Sequence, residues 1–381
     1  MWVADHFAFQ IFNSPMPIPS PVNRSLNEIP VYQPGRPIEE VARELGLPAA
    51  SIIKLASNEN PLGMPVSAQK AVAAAIADLG RYPDSNGFEL KAAIGKKFAV
   101  PQDWITLGNG SNDVLELAAR AFVQSGQSIV FAEHSFAVYA LATQAIGARS
   151  IVVPAKNYGH DLIAMAKAIQ ADTRLVFIAN PNNPTGTFLP AADVQAFLEK
   201  IPSNVAVVLD EAYNEYLPVE LRFDSVQWLK KFPNLIISRT MSKVYGLAGL
   251  RIGFALASAS ATDLMNRLRH PFNVNTLAQA AAIAALADDA FLQKSYEVNR
   301  DGLAQLQGAF ERMKLEYVPS YGNFVLVKVG DGMSVFNQLL RAGVIVRPVA
   351  NYGLPQWLRI SVGLQHENER FLTVLAGIMK A

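Results

Sequence analysis

The sequence predicts an α/β protein, a mostly parallel sheet with helices on both faces, followed by a smaller α+β lobe. Three observations carry this. Short β-branched runs alternate with Ala-rich amphipathic stretches through the middle of the chain, the pattern of strand–helix–strand crossovers. After about residue 275 one long helical region leads into three short apolar runs. The chain has 381 residues, 51% of them apolar, which is enough for two lobes rather than one.

Taken in order, residues 1–22 are apolar and Pro-rich and read as a flexible arm, with Met16 itself a candidate start. No Lys or Arg precedes Arg24, so the basic region of a signal peptide is missing. Residues 23–57 are expected to pack on the second lobe, 58–275 to form the large domain and 276–381 the small one. Strands are expected at 128–133, 150–155, 173–180, 205–212, 235–240 and 251–257, with helices such as 113–124 and 191–201 between them. In the small domain a helical region over 277–313 precedes strands at 324–329, 344–349 and 357–363.

Composition narrows the function. Lys and Arg number 33 against 32 Asp and Glu, so no nucleic-acid footprint is present. Cysteine is absent and the five His show no ligand spacing, which argues against a metal site. No apolar run reaches the ~18 residues needed to span a bilayer. A soluble, cytoplasmic protein is expected.

Sites in parallel sheets form at the carboxyl ends of the strands, and four polar segments fall there. "FIANPNNPTG" (177–186) places Asn183 in a turn that Asn and Pro also explain by turn chemistry alone. "VAVVLDEAYNEY" (205–216) ends a strand in Asp210. The magnesium-binding Asp of an ATPase is excluded, because the only Gly-Lys pair, Gly95-Lys96, lacks the rest of a phosphate loop. A buried Asp210 would instead need a cationic partner such as a ring nitrogen. "TLGNGSNDVLEL" (106–117) opens a helix where the N–H groups of Gly110, Ser111 and Asn112 form an anion site or, equally, where Ser or Asn caps the helix. In "SRTMSKVYGLAGLRIG" (238–253), Thr240 and Arg251 are suited to phosphate oxygens, leaving Lys243 to act as a nucleophile. Gly246, Gly249 and Gly253 are expected to let the backbone approach a ligand.

One ligand accounts for the set: a phosphate for Ser111, Asn112, Thr240 and Arg251, a ring nitrogen for Asp210, a ring hydroxyl for Asn183 and Tyr213, and an aldehyde for Lys243. Those groups together make pyridoxal phosphate.

"NPNNPTG", "DEAY" and "SKVYGLAGLRIG", in this order, resemble the class I and II aminotransferases of fold type I, over nearly the whole chain from about residue 23. Within that family the resemblance is to the histidinol-phosphate branch, through "VYQPGRPIEEVARELG" (31–46), "KLASNENPLG" (54–63), "RYPD" (81–84), "LGNGSND" (107–113), "HPFNVN" (270–275) and "LRISVG" (358–363). The resemblance implies a large domain with a seven-stranded type of sheet. It makes Lys243, Asp210 and Tyr213 the catalytic residues and has Phe136 stack on the pyridine ring, in a place where relatives carry Tyr or Trp. Tyr82 would reach the cofactor from a second subunit, making a homodimer with its active site at the interface. Arg359 would bind the acid group of the substrate, with Arg347 and Tyr32 near the substrate phosphate. The implied reaction moves an amino group from histidinol phosphate to 2-oxoglutarate, giving imidazole acetol phosphate and glutamate. Aromatic amino-acid aminotransferases and decarboxylases of phosphorylated amino acids share the cofactor motifs, and a regulator that has lost catalysis is a further reading. An arm of 22 residues is too short for the DNA-binding domain such regulators carry.

Overall fold

The computed structural model describes residues 35–380. The arm expected over residues 1–22 lies outside the described residues, as does Tyr32. The described chain enters through α1 (Ile38–Leu45), β1 (Ile53–Lys54), α2 (Val66–Ala75) and α3 (Phe88–Phe98). It then lays down β2 (Ile105–Gly108), α4 (Ser111–Phe122), β3 (Ser128–Ala132), α5 (Val138–Ala145), β4 (Arg149–Val153), α6 (Leu162–Lys167), β5 (Thr173–Ala179), α7 (Ala191–Leu198), β6 (Ala206–Asp210), β7 (Leu235–Thr240) and β8 (Gly253–Ala257). Helices α8 (Ala259–Leu268), α9 (Thr276–Leu286) and α10 (Asp289–Arg312) follow. The remainder is β9 (Tyr317–Val318), β10 (Phe324–Lys328), α11 (Gly332–Arg341), β11 (Val344–Ile345), β12 (Arg347–Val349), β13 (Leu354–Ser361) and α12 (Gln365–Ile378).

The large sheet runs β2-β8-β7-β6-β5-β3-β4, and β3 to β7 pair in parallel throughout. β8 is antiparallel to both of its neighbours, an exception to the expected parallel order. The cause is its connection: residues 241–252 hold no α-helix, and a parallel return needs a crossover of about a dozen residues or more, usually helical. β2 is a strand the sequence reading did not propose; four residues ending in Gly give too short a pattern.

Period-two alternation sorts the strand residues onto the two faces of this sheet. Val176, Ile178, Val207, Leu209, Leu235 and Ile237 join one apolar core. Leu175, Phe177, Val208 and Ile236 join the other. The helical region expected over 277–313 is broken where Asp288 Oδ1 accepts from the Phe291 N–H and caps α10. Before the break, α9 buries Ala278, Ala281 and Ala285 in the large-sheet core; beyond it, α10 places Leu306 and Phe310 in a separate one.

That second core lies against a four-stranded antiparallel sheet, β12-β13-β10-β9. The entry segment joins it: β1 pairs in parallel with β11, and Val41, Ile53 and Leu55 are buried there. The run 344–349 thus splits between two sheets, β11 toward β1 and β12 toward β13.

Candidate active site

The strand alternation decides where the polar ends point. Asp210 continues the face of Val208, and Thr240 the face of Ile236, so both look to the side of the sheet that carries α4 and α5. Glu211 and Arg239 fall on the other face, where Arg239 Nη2 meets Glu211 Oε2 at 2.5 Å and Arg239 Nη1 meets Glu215 Oε1 at 2.9 Å. Asp210 and Glu211, adjacent in the sequence, therefore divide: one carboxylate lines a cavity, the other is in a buried ion pair behind it.

That cavity, about 190 Å³, is lined by Ser111, Asn112, Phe136, Asn183, Asp210, Tyr213, Thr240, Lys243, Arg251, Arg347 and Arg359. These are the residues the sequence proposed, apart from Tyr32, which is not described, and Tyr82. Tyr82 lies elsewhere on this chain, 83% exposed, with its ring stacked on Phe272 at 4.7 Å.

At the anion end, the N-cap of α4 is Gly110, with φ 84° and no side-chain cap. Ser111 and Asn112 are first-turn residues, so the reading in which one of them caps the helix falls away. Their backbone N–H groups are among those a helix leaves without an intrahelical acceptor. Arg251 packs against this turn: a Cβ on Gly110 would stand 2.5 Å from its Nη2. Arg251 Nη1 also donates to Ala248 O at 3.0 Å and to Ser242 Oγ at 3.3 Å.

The glycines serve a different contact from the one expected. A Cβ on Gly253 would stand 2.5 Å from the Ser111 nitrogen and 2.7 Å from the Gly110 carbonyl carbon. A Cβ on Gly246 would overlap the Gly63 carbonyl, while around Gly249 nothing lies within 4 Å. Gly246 and Gly253 admit the chain's own backbone rather than a ligand, and in doing so bring the Lys243 loop and β8 against the site.

At the other end, burial raises the Asp210 pKa to about 6, against the hydrogen bond from Tyr139, whose OH donates to Oδ2 at 2.9 Å, and a weaker influence of the Ala212 backbone N–H. Oδ1 is buried and accepts no hydrogen bond among the described residues. Lys243 Nζ donates to Ser57 O at 3.2 Å and lies 5.9 Å from the centre of the Tyr213 ring. Burial first, then Arg359 and Arg251, lower its pKa to about 8, with Glu59 and Asp210 opposing. The chief cationic influence is thus Arg359, from the other lobe, and not Arg251 of the same loop. Burial lifts Tyr213 to about 12, with Arg359 and a hydrogen bond from Asn58 acting the other way.

A pyridine ring carrying a phosphate fits this donor set. The orphaned Asp210 Oδ1 matches a ring N–H, the helix start with Arg251 matches a phosphate, and a half-buried amine with a depressed pKa matches an aldehyde.

The family model for aminotransferase class I and II matches residues 50–375. This chain belongs to that family. Among curated relatives, histidinol-phosphate aminotransferase 1 of Cupriavidus pinatubonensis is 67% identical over 92% of this chain and 94% of its own length. Histidinol-phosphate aminotransferase 2 of Ralstonia nicotianae is 64% identical over 90% and 93%. The crystal structure of histidinol-phosphate aminotransferase from Sinorhizobium meliloti, in complex with pyridoxal-5'-phosphate, superposes with a TM-score of 0.87 at 28% identity, covering 95% of this chain and 98% of that one. The aminotransferase fold type inferred from the motifs is therefore the fold observed.

Within this aminotransferase, the cavity residues that sequence reading missed include Tyr139, Asn58 and Ser242. Tyr139, which holds Asp210, sits in an apolar helix and reads there as core. Asn58 has φ 55°, donates from Nδ2 to Tyr213 Oη at 3.0 Å, and is fixed by Ser361 Oγ on its Oδ1 at 2.9 Å. Its sequence signal is the "NENPLG" stretch, which Asn58 opens. Ser242 was passed over between Met241 and Lys243.

Proposed function

We propose that this aminotransferase uses pyridoxal phosphate to transfer the amino group of histidinol phosphate to 2-oxoglutarate, as a cytoplasmic homodimer. The observation that carries the substrate reading is a pair of arginines. Arg347 on β12 and Arg359 on β13 are direct register partners, and both line the cavity that also holds the Ser111–Arg251 anion end. Two adjacent guanidinium groups attract an anionic tail strongly, and both histidinol phosphate and 2-oxoglutarate carry one. The curated relatives named above support the same donor. Phenylalanine carries no second anion for Arg347 and Arg359 to share, so the aromatic reading has less in its favour.

Ser111, Asn112, Thr240 and Arg251 would hold the cofactor phosphate, Asp210 the ring nitrogen, Asn183 and Tyr213 the ring oxygen, and Phe136 one ring face. When bound, the cofactor supplies a carbonyl for the amine and a ring that draws off the electrons freed when Cα loses its proton. Lys243 would hold the cofactor and then take and return that proton. A pKa near 8 leaves an appreciable neutral fraction at physiological pH. Asp210, kept charged, would hold the positive charge on the ring. Tyr213, with Asn58 donating to its oxygen, keeps its own proton to donate.

For the dimer, Val66, Ile76, Leu79, Tyr82, Phe88 and Phe272 are large apolar side chains exposed on this chain. Such a surface suits burial against a second copy. Among the described residues no helix is long and apolar enough to cross a membrane.

A single-turnover experiment tests the substrate. The protein loaded with pyridoxal phosphate is mixed with histidinol phosphate or with phenylalanine, without keto acid, and the cofactor absorbance is followed. Rapid conversion to the amino form with histidinol phosphate is expected. Faster conversion with phenylalanine would overturn the proposed donor.

A further inference from the structure

Tyr139 is a fully buried tyrosine whose ring is packed against two aromatic neighbours. It stacks on Phe177 with centroids 4.6 Å apart and 6° between planes. It meets Phe136 edge-on, at 5.9 Å and 89°, and its carbonyl accepts from Thr143 Oγ1 at 2.6 Å. A buried phenol needs an acceptor, and here the acceptor is Asp210 Oδ2. The two oxygens of Asp210 are thereby made unequal: Oδ2 is engaged by a neutral donor, and Oδ1 by no donor among the described residues.

We propose that Tyr139 is a positioning residue for the cofactor: it fixes the plane of the Asp210 carboxylate so that Oδ1 faces the ring nitrogen, and it keeps that carboxylate ionised. The inference rests on the reading that Asp210 holds the ring nitrogen. A neutral donor suits the task, because it favours the ionised carboxylate without competing for its charge as a lysine would. The rigid ring makes the donor pre-organised, and Phe136, assigned to the cofactor face, is set by the same ring.

The test is cofactor binding to the apoprotein, followed by fluorescence and by cofactor absorbance from pH 5 to 9. It compares wild type, Tyr139→Phe, Asp210→Asn and the double variant. Tyr139→Phe keeps both ring contacts, and a thermal melt checks that it folds. The expected result is about tenfold weaker binding, the loss typical of one hydrogen bond to a charged group, with the fall in affinity on acidification moved to higher pH. In the Asp210→Asn background, removing the hydroxyl should change nothing further, because Tyr139 acts through that carboxylate. A loss of equal size in both backgrounds, or an unchanged affinity and pH profile in Tyr139→Phe, overturns the proposal. Wild-type binding by Asp210→Asn would instead overturn the underlying reading of Asp210, and the proposal with it.

Discussion

Arg359 Nη1 donates to Asn183 Oδ1 at 2.6 Å, joining β13 of the small sheet to the turn that ends β5 of the large one. The second fork nitrogen, Nη2, donates to Ala56 O at 2.8 Å, in the entry segment just after β1. One guanidinium thus ties together three parts of the chain while lining the cavity. The residue proposed for the substrate's acid group and the one proposed for the ring oxygen are in direct contact, so substrate and cofactor sites share their geometry.

Arg359→Lys tests those duties together. An ammonium keeps the charge and loses the planar fork, so it cannot bond Asn183 and Ala56 as Arg359 does while also meeting an acid group. The Michaelis constant for 2-oxoglutarate should rise roughly a hundredfold, as for loss of a charged hydrogen-bonded contact, and the absorbance of the bound cofactor should shift with the release of Asn183. Steady-state kinetics over a range of keto acid decide it; an unchanged constant would remove Arg359 from the substrate site.

The lysine makes a prediction for the apoprotein. Its pKa falls from 10.5 to about 8 on folding, so between those values the unfolded chain binds a proton that the native state does not. Stability from this group therefore rises as pH goes from 8 to 10.5, and below 8 its burial costs the most. Lys243→Met should raise the stability of the apoprotein at pH 7 by about 1–3 kcal/mol, less than the whole shift implies because Lys243 is only partly buried by surface area. The gain should fade by about pH 11. Denaturant melts at pH 7 and pH 11 supply the comparison, and equal gains at both would mean that packing, not charge, is responsible.

What the sequence disclosed and what it hid have physical causes. Asn183 stands among Asn, Pro and Gly just past β5, Asp210 and Thr240 end β6 and β7, and Lys243 and Arg251 lie in the glycine-bearing loop before β8, so each is marked by the sequence around it. Tyr139 and Asn58 reach the site through contacts 71 and 155 residues away, to Asp210 and Tyr213, and no local pattern marks them. The sense of β8 was in principle legible, since the connection before it carries no helical period. The division of Asp210 from Glu211 follows from alternation alone, once β6 is known to be buried on both faces.

Tyr82 gives a prediction about assembly. On this chain it is exposed and apart from the cavity, so a role at the cofactor requires a second subunit. Tyr82→Ala and Lys243→Ala should each be strongly impaired alone. Unfolded together and refolded, half the dimers would be mixed, and each would rebuild one complete site out of two. Activity should then recover to roughly a quarter of the wild-type value, as random pairing in a closed two-fold dimer requires. No recovery, with mixed dimers demonstrated, would remove Tyr82 from the partner's site.

Gly253→Ala tests the backbone contact that brings β8 to the anion end. The added methyl would stand 2.5 Å from the Ser111 nitrogen, 2.7 Å from the Gly110 carbonyl carbon and 2.9 Å from the Arg239 carbonyl oxygen. All three are backbone atoms, so no side-chain rotation relieves the overlap; either β8 or the start of α4 must move. Moving β8 strains the ladders to both β2 and β7, since Gly253 is paired with Gly108 on one side and Thr240 on the other. Moving α4 displaces the N–H groups of Ser111 and Asn112 from Thr240 and Arg251. Overpacking of this kind costs about 1–3 kcal/mol of stability. If α4 is what yields, inorganic phosphate and pyridoxal phosphate should lose affinity together, while Gly249→Ala, with nothing within 4 Å to meet the methyl, should leave both as they are. Parallel phosphate and cofactor titrations of the two variants separate a displaced anion site from a general loss of fold: the former weakens both ligands with the melting temperature moved by a few degrees, and the latter removes the melting transition itself.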